Sequence, residues 1–107
     1  MPFDKASLFA ALKPKTSAVP VEGFGDVQIK QLAVSEVEAI RAQLKKDNDN
    51  DSFGLRLLTA SVFDDDGAAV FSEADLPEIR ASSNEAIEKL VTGVLELNGF
   101  RKAEAGN

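Results

Sequence analysis

The sequence predicts an α+β fold, predominantly helical, in which a small N-terminal β-hairpin packs on about three to four helices. Three observations predict it. Asp26-Val27-Gln28-Ile29-Lys30 alternates polar and apolar residues behind the glycine turn Gly23-Phe24-Gly25, the period of a half-buried strand entered from a hairpin. Two Ser-x-x-Glu boxes, at Ser35 and Ser82, each precede apolar residues at helical spacing, the signature of a capped amphipathic helix. Between those boxes, Phe53 to Phe63 is apolar almost all round, as in a helix buried on most sides.

In chain order, Phe3 to Leu12 has Asp4 as an N-cap, Leu8, Phe9 and Leu12 on one helical side, and Pro14 to end it, so a short helix is the most it can form. Lys15 to Ala18 has no periodicity, and a hinge is expected there. The expected division is a flexible or short-helical arm over 1–18, a single compact domain over 19–100 and a frayed tail over 101–107.

Val19-Pro20-Val21-Glu22 forms the first strand of the hairpin. Pro20 cannot donate a ladder hydrogen bond, which assigns its strand to an edge. A two-stranded ribbon is marginal alone, so it must lie on helices or gain another strand from a partner.

The next helix opens at the Ser35-Glu36-Val37-Glu38 box and runs to about Lys46, with Val37, Ile40 and Leu44 on one face and acids first, bases last, as its dipole favours. Asp47-Asn48-Asp49-Asn50 breaks it. Asp51 or Ser52 caps the central helix Phe53–Phe63, whose Arg56 and Thr59 reach solvent and whose Leu58 sits at the heart of the core. Asp64-Asp65-Asp66-Gly67 is a turn, Ala68 to Phe71 is briefly extended, Ser72 caps a short turn and Pro77 begins another. The Ser82 box opens the last helix, with Ala86, Ile87, Leu90, Val91, Val94 and Leu95 along one face and Asn98-Gly99 as its stop.

Composition narrows the chemistry. One hundred and seven residues with 44% hydrophobic and 28% charged residues suit one packed domain. With no Cys there is neither a disulfide framework nor a thiolate metal site, and with no His the commonest general base and transition-metal ligand is missing. The net charge of −6 repels phosphate backbones. Lys5, Lys13 and Lys15 against Asp4 make the first segment mildly basic, whereas Asp64 to Glu88 carries eight acids against Arg80. Scattered lysines without interleaved arginines or aromatics do not make a nucleic-acid footprint. The apolar run Leu8–Leu12 is far too short for a signal-peptide core or membrane span, so a cytoplasmic location without nucleic-acid or membrane partners is expected.

Four local patterns imitate functional motifs. With Gly67 at the sixth position of a calcium loop, Asp64, Asp66 and Glu73 fall at positions three, five and twelve, but Val62 occupies the first, where a carboxylate is required. Asp47 to Asp51 alternates carboxylates, yet Ser52 replaces the turn glycine and Leu58 the final glutamate. Asp51-Ser52-Phe53 resembles the Asp-Ser-Leu attachment site of acyl carrier proteins, in which Ser52 would carry phosphopantetheine; the helix that follows has no acid and includes Arg56, whereas carrier proteins present acids there. Gly23-Phe24-Gly25 lacks the strand-to-helix context of a phosphate cradle. No catalytic, metal-binding or cofactor-binding constellation is expected, and the chain reads as non-enzymatic.

The order of these signals resembles the tail assembly chaperones of long, non-contractile-tailed bacteriophages and prophages. The resemblance rests on Val19-Pro20-Val21-Glu22-Gly23-Phe24-Gly25-Asp26-Val27, on Leu57-Leu58-Thr59-Ala60-Ser61-Val62-Phe63-Asp64, on Asp66-Gly67 followed by Val70-Phe71, and on the helix reaching Leu97-Asn98-Gly99. It implies a factor of the bacterial host cytoplasm that binds the tape measure protein and helps recruit tail tube subunits, and that self-associates. It carries no active-site residue. On this reading Val27, Ile29 and Leu32 are candidate partner contacts along the hairpin edge, and Leu90 and Val94 candidate oligomer contacts; core packing is the alternative for all five. The other functional readings are an acyl-carrier-like protein modified at Ser52 and a generic small phage protein-binding module.

Overall fold

In a computed structural model, residues 3–47 and 53–100 are described. Among them are five helices and a three-stranded antiparallel sheet, an α+β architecture in which helix predominates. The order is α1 (Lys5–Ala11), β1 (Thr16–Val21), β2 (Gly25–Lys30), α2 (Val34–Lys46), α3 (Phe53–Ser61), β3 (Val62–Phe63), α4 (Leu76–Arg80) and α5 (Asn84–Leu97).

The hairpin forms as its alternation requires, but β1 begins at Thr16, within the expected arm. Thr16 pairs with Lys30 and Val21 with Gly25, so the stretch read as a hinge is sheet. Gly23, at φ 86°, supplies the left-handed residue of the turn, which closes with Phe24 N–H donating to the Val21 carbonyl at 3.0 Å. Lys15 extends the pairing: Gln31 N–H donates to its carbonyl at 2.8 Å, and its own amide donates to Gln31 Oε1 at 2.8 Å.

The third strand comes from within the chain. Val62 and Phe63, expected as the last residues of the central helix, leave α3 and pair with Ile29 and Gln28. Two β-branched or aromatic residues at a helix end convert readily to strand when a paired edge is offered, and β2 thereby becomes the central strand of the order β1-β2-β3.

The core lies between one face of this sheet and α2, α3 and α5, with Ile29, Leu57, Leu58, Val94 and Leu95 almost wholly enclosed. Arg56 and Thr59 do not escape to solvent. Thr59 is buried with its hydroxyl donating to the Arg56 carbonyl, and Arg56 reaches across to Glu73 and Asp47.

Both capping boxes are displaced by one or two residues. Helix α2 is capped at Ala33, whose amide donates to Glu36 Oε1 at 3.0 Å, placing Ser35 inside the first turn. Helix α5 is capped by Ser83, which accepts from Ala86 N–H, while the Ser82 hydroxyl donates back to the Glu78 carbonyl. The expected stop at Asn98-Gly99 is present: Gly99, at φ 78°, allows Phe100 N–H to reach the Leu95 carbonyl at 2.8 Å, which satisfies an otherwise orphaned helix carbonyl. Asp51, Ser52 and the tail 101–107 lie outside the described residues, and with them the cap of the central helix, the carrier-protein reading and the frayed tail.

Candidate partner-binding surface

The five residues predicted as partner contacts face inward. Ile29, Leu32, Leu90 and Val94 are buried, and Val27 is half-buried against the same cluster. The cause is topological: β3 pairs with Gln28 and Ile29 on the other side of β2, making it the central strand, and α5 lays its apolar face on α3 and the hairpin. These side chains hold the protein's own core and are not a contact surface in this fold.

The open edge is instead β1. Bonding at the Lys15–Gln31 pair sets the antiparallel alternation, which directs the backbone groups of Ser17, Val19 and Val21 toward β2 and those of Thr16, Ala18 and Pro20 outward. Pro20 therefore lacks its amide where no ladder bond is required, and the outward edge offers two amides and three carbonyls. Thr16, Ala18 and Pro20 are exposed. Beyond the end of β1, Phe24 stands on the hairpin turn at 78% exposure.

A second uncovered region precedes the sheet. Every residue from Phe3 to Ala18 is exposed. Phe3, Phe9 and Leu12 are 81%, 58% and 63% exposed, and Leu8 is also exposed. Helix α1 is held locally by Asp4, whose carboxylate accepts from Ala6 N–H and from the Ser7 hydroxyl; that hydroxyl is the main reason its carboxyl titrates below the usual aspartate range.

A groove of about 350 Å³ opens between α2 and α3, lined by Ala39, Ile40, Ala60 and Phe71. Arg56 forms part of its wall, one guanidinium nitrogen 2.9 Å from Glu73 and another 3.1 Å from Asp47, with its Nε buried and without a hydrogen-bond partner. Also on α2, Arg41 lies over Phe53 and Phe100, whose rings meet edge to face at 5.3 Å.

Asp64 Oδ1 accepts from the amides of Asp66 and Ala68 and so shapes the Asp-Gly turn. Ser61 Oγ is buried and has no hydrogen-bond partner; with no solvent access it is not placed to attack a substrate. No three or more of the Asp and Glu side chains among the described residues converge as a metal ion would require. No helix among the described residues is long and apolar enough to cross a membrane.

The sequence reading placed Pro20's strand at an edge and a short helix in the arm; it missed only that the strand reaches back to Thr16, which depends on pairing with Lys30. Phe24 was read only as part of the glycine turn, although an apolar ring at a turn tip is the signal that marks it, and Pro20 was read as an edge residue. The fold and surface define a class, a small α+β module with an open sheet edge and an apolar arm. Compared with family models, curated proteins and solved structures, the chain matches none.

Proposed function

We propose that the chain is a non-enzymatic binding module of the tail assembly chaperone kind, acting on the tape measure protein and helping to recruit tail tube protein during tail morphogenesis in the host cytoplasm. The observation that carries a binding role is the free β1 edge, with Phe24 exposed on the turn beyond it. An extended apolar segment of an elongated partner gains main-chain hydrogen bonds at Thr16 and Ala18, and Phe24 supplies an apolar contact on the turn beyond Val21. The identity of that partner is supported by the order of sequence signals described above. The acidic remainder of the chain keeps such a complex from aggregating.

Coexpression with a cognate tape measure protein tests the proposal. The expected result is a copurifying complex and a larger soluble fraction of the tape measure protein. Ala18→Pro removes an outward amide without touching a β1–β2 hydrogen bond, and is expected to weaken that complex while the thermal unfolding curve keeps its midpoint. Absence of both the complex and the solubility gain with the unaltered chain overturns the assignment.

A further inference from the structure

We infer that the β1 edge selects its occupant by charge: it takes an antiparallel strand of another protein that carries a basic residue opposite Pro20, an apolar residue opposite Val19 and an acidic residue opposite Thr16. The inference rests on the binding-module reading above and deepens it, by stating the chemistry of the segment that such an edge accepts.

The register of the hairpin sets a gradient along the edge. Thr16, Ala18 and Pro20 stand opposite Lys30, Gln28 and Asp26, and residues directly opposite share one face of the sheet. On that face the small edge residues are backed by a cation at one end, a neutral amide in the middle and a carboxylate at the other. The flanks of the strand repeat the order: Lys13 and Lys15 precede Thr16, and Glu22 follows Val21. Lys15, Glu22 and Asp26 are exposed and Lys30 is half-buried, and none of the four is held in an ion pair among the described residues. A hollow of about 420 Å³ beside Pro20 is lined by two acids, Glu22 and Glu85, and by one base, Lys89, which lies 3.8 Å from Glu85. That end of the edge is acidic, and a strand with complementary ends is steered and fixed in register by it.

The opposite face adds the apolar requirement. Val19 is half-buried against Gly93 of α5, and a neighbouring apolar side chain on an added strand extends this contact. The outward groups, the amides and carbonyls of Thr16 and Ala18 and the carbonyl of Pro20, accept a strand in either direction. Antiparallel pairing is slightly the stronger, and the gradient then places the base first and the acid four residues later.

A second copy of β1 is a poorer occupant. Two β1 strands paired antiparallel about Ala18 set each Pro20 against the other's Thr16, and Pro20 has no amide to give the Thr16 carbonyl. Proline at an edge blocks self-pairing of this kind, whereas an unrelated strand brings a full set of amides.

Two synthetic peptides of identical composition with blocked ends, Lys-Val-Thr-Val-Glu and Glu-Val-Thr-Val-Lys, test the inference when titrated into the isotope-labelled full-length protein while the amide shifts of Thr16 and Ala18 are followed. The first is expected to bind about tenfold more tightly, because exchanging its ends turns two exposed attractions into two repulsions, and the preference is expected to shrink as salt is raised. Asp26→Lys combined with Lys30→Glu is expected to reverse it. Should circular dichroism show that this double variant is unfolded, Lys15→Glu combined with Glu22→Lys, at exposed positions, is expected to diminish it.

Equal affinities, a preference for the second peptide, a preference that a folded double variant leaves unchanged, or no shift at Thr16 or Ala18 with either peptide overturns the inference. So does a concentration-dependent shift of those amides in the protein alone that neither peptide displaces, since a second copy then holds the edge. No tape measure protein is present in these experiments. A copurifying complex in the coexpression test alongside equal peptide affinities leaves the binding module standing and removes only its charge rule.

Discussion

Gly93 of α5 lies directly against Val19 of β1: a β-carbon on Gly93 would stand 2.6 Å from Val19 Cγ2. Glycine inside a helix costs about 1 kcal/mol relative to alanine, so its presence in the last helix is explained by this close approach of helix to strand. Val19 is β-branched and stiff at χ1, and it cannot swing aside cheaply. Overpacking costs about 1–3 kcal/mol, which outweighs the gain in helix propensity. Gly93→Ala is expected to destabilise the protein by about 1 kcal/mol in urea unfolding. In a Val19→Ala background the same change is expected to stabilise, and additive effects of the two substitutions would contradict the contact.

Asn98 ties the end of α5 to the exit of the hairpin. Its Oδ1 accepts from Leu32 N–H at 2.7 Å and its Nδ2 donates to the Val94 carbonyl at 2.8 Å, while neighbouring Gln31 donates to the Leu97 carbonyl at 2.8 Å. Asn98→Ala leaves the partly buried Leu32 amide without its acceptor, at an expected cost of about 1–3 kcal/mol. Hydrogen exchange at Leu32 is expected to accelerate, and an unchanged rate would show that the bond is not made in solution.

Leu58 has no exposed surface and sits in the main cluster. Leu58→Ala removes its packing and leaves a cavity, for an expected loss of about 2–5 kcal/mol. Denaturant midpoints with an unchanged m-value measure it.

Helix caps give a paired test. Ser83→Ala is expected to cost about 0.5–1 kcal/mol, toward the lower end for a lost N-cap because the bond to Ala86 N–H is long at 3.4 Å. Ser82→Ala is expected to stay within about 0.5 kcal/mol, since its exposed hydroxyl only returns to the Glu78 carbonyl. The reverse order of melting temperatures would move the start of α5 back to the sequence-based position.

Acid is expected to loosen the arm. Asp4 titrates below the usual aspartate range because its charged form accepts hydrogen bonds from Ser7 and Ala6. A carboxyl lowered in the folded form stabilises that form above its unfolded pKa, and the contribution disappears as pH falls through the lowered value. Amide chemical shifts of Ala6 and Ser7 are therefore expected to move toward coil values at a pH below that of ordinary aspartates. A midpoint at or above the ordinary range would show that the cap is absent in solution.

The fold was legible where one residue's chemistry suffices. Alternation around Val27 and Ile29, the apolar run at Leu57 and Leu58, the amphipathic face from Ala86 to Leu95 and the Asn98-Gly99 stop all report local periodicity or a local backbone requirement. Helix starts were misplaced by one or two residues because several neighbouring Ser, Ala and Asn residues can all end a chain segment before a helix; only the packed helix selects among them.

Local pattern alone thus determined an α+β chain without histidine or cysteine chemistry, with a hairpin, an enclosed central helix and a long amphipathic helix at its end. Tertiary structure decided what that hairpin exposes. Once Val62 and Phe63 pair with β2, the apolar residues read as hairpin-edge contacts are interior ones, and the outward hydrogen-bonding groups of the sheet are those of Thr16 and Ala18 on β1. Pro20 marked β1 as an edge strand from the sequence, but that β2 would gain a third strand from Val62 and Phe63 is set by long-range pairing, and no local pattern contains it.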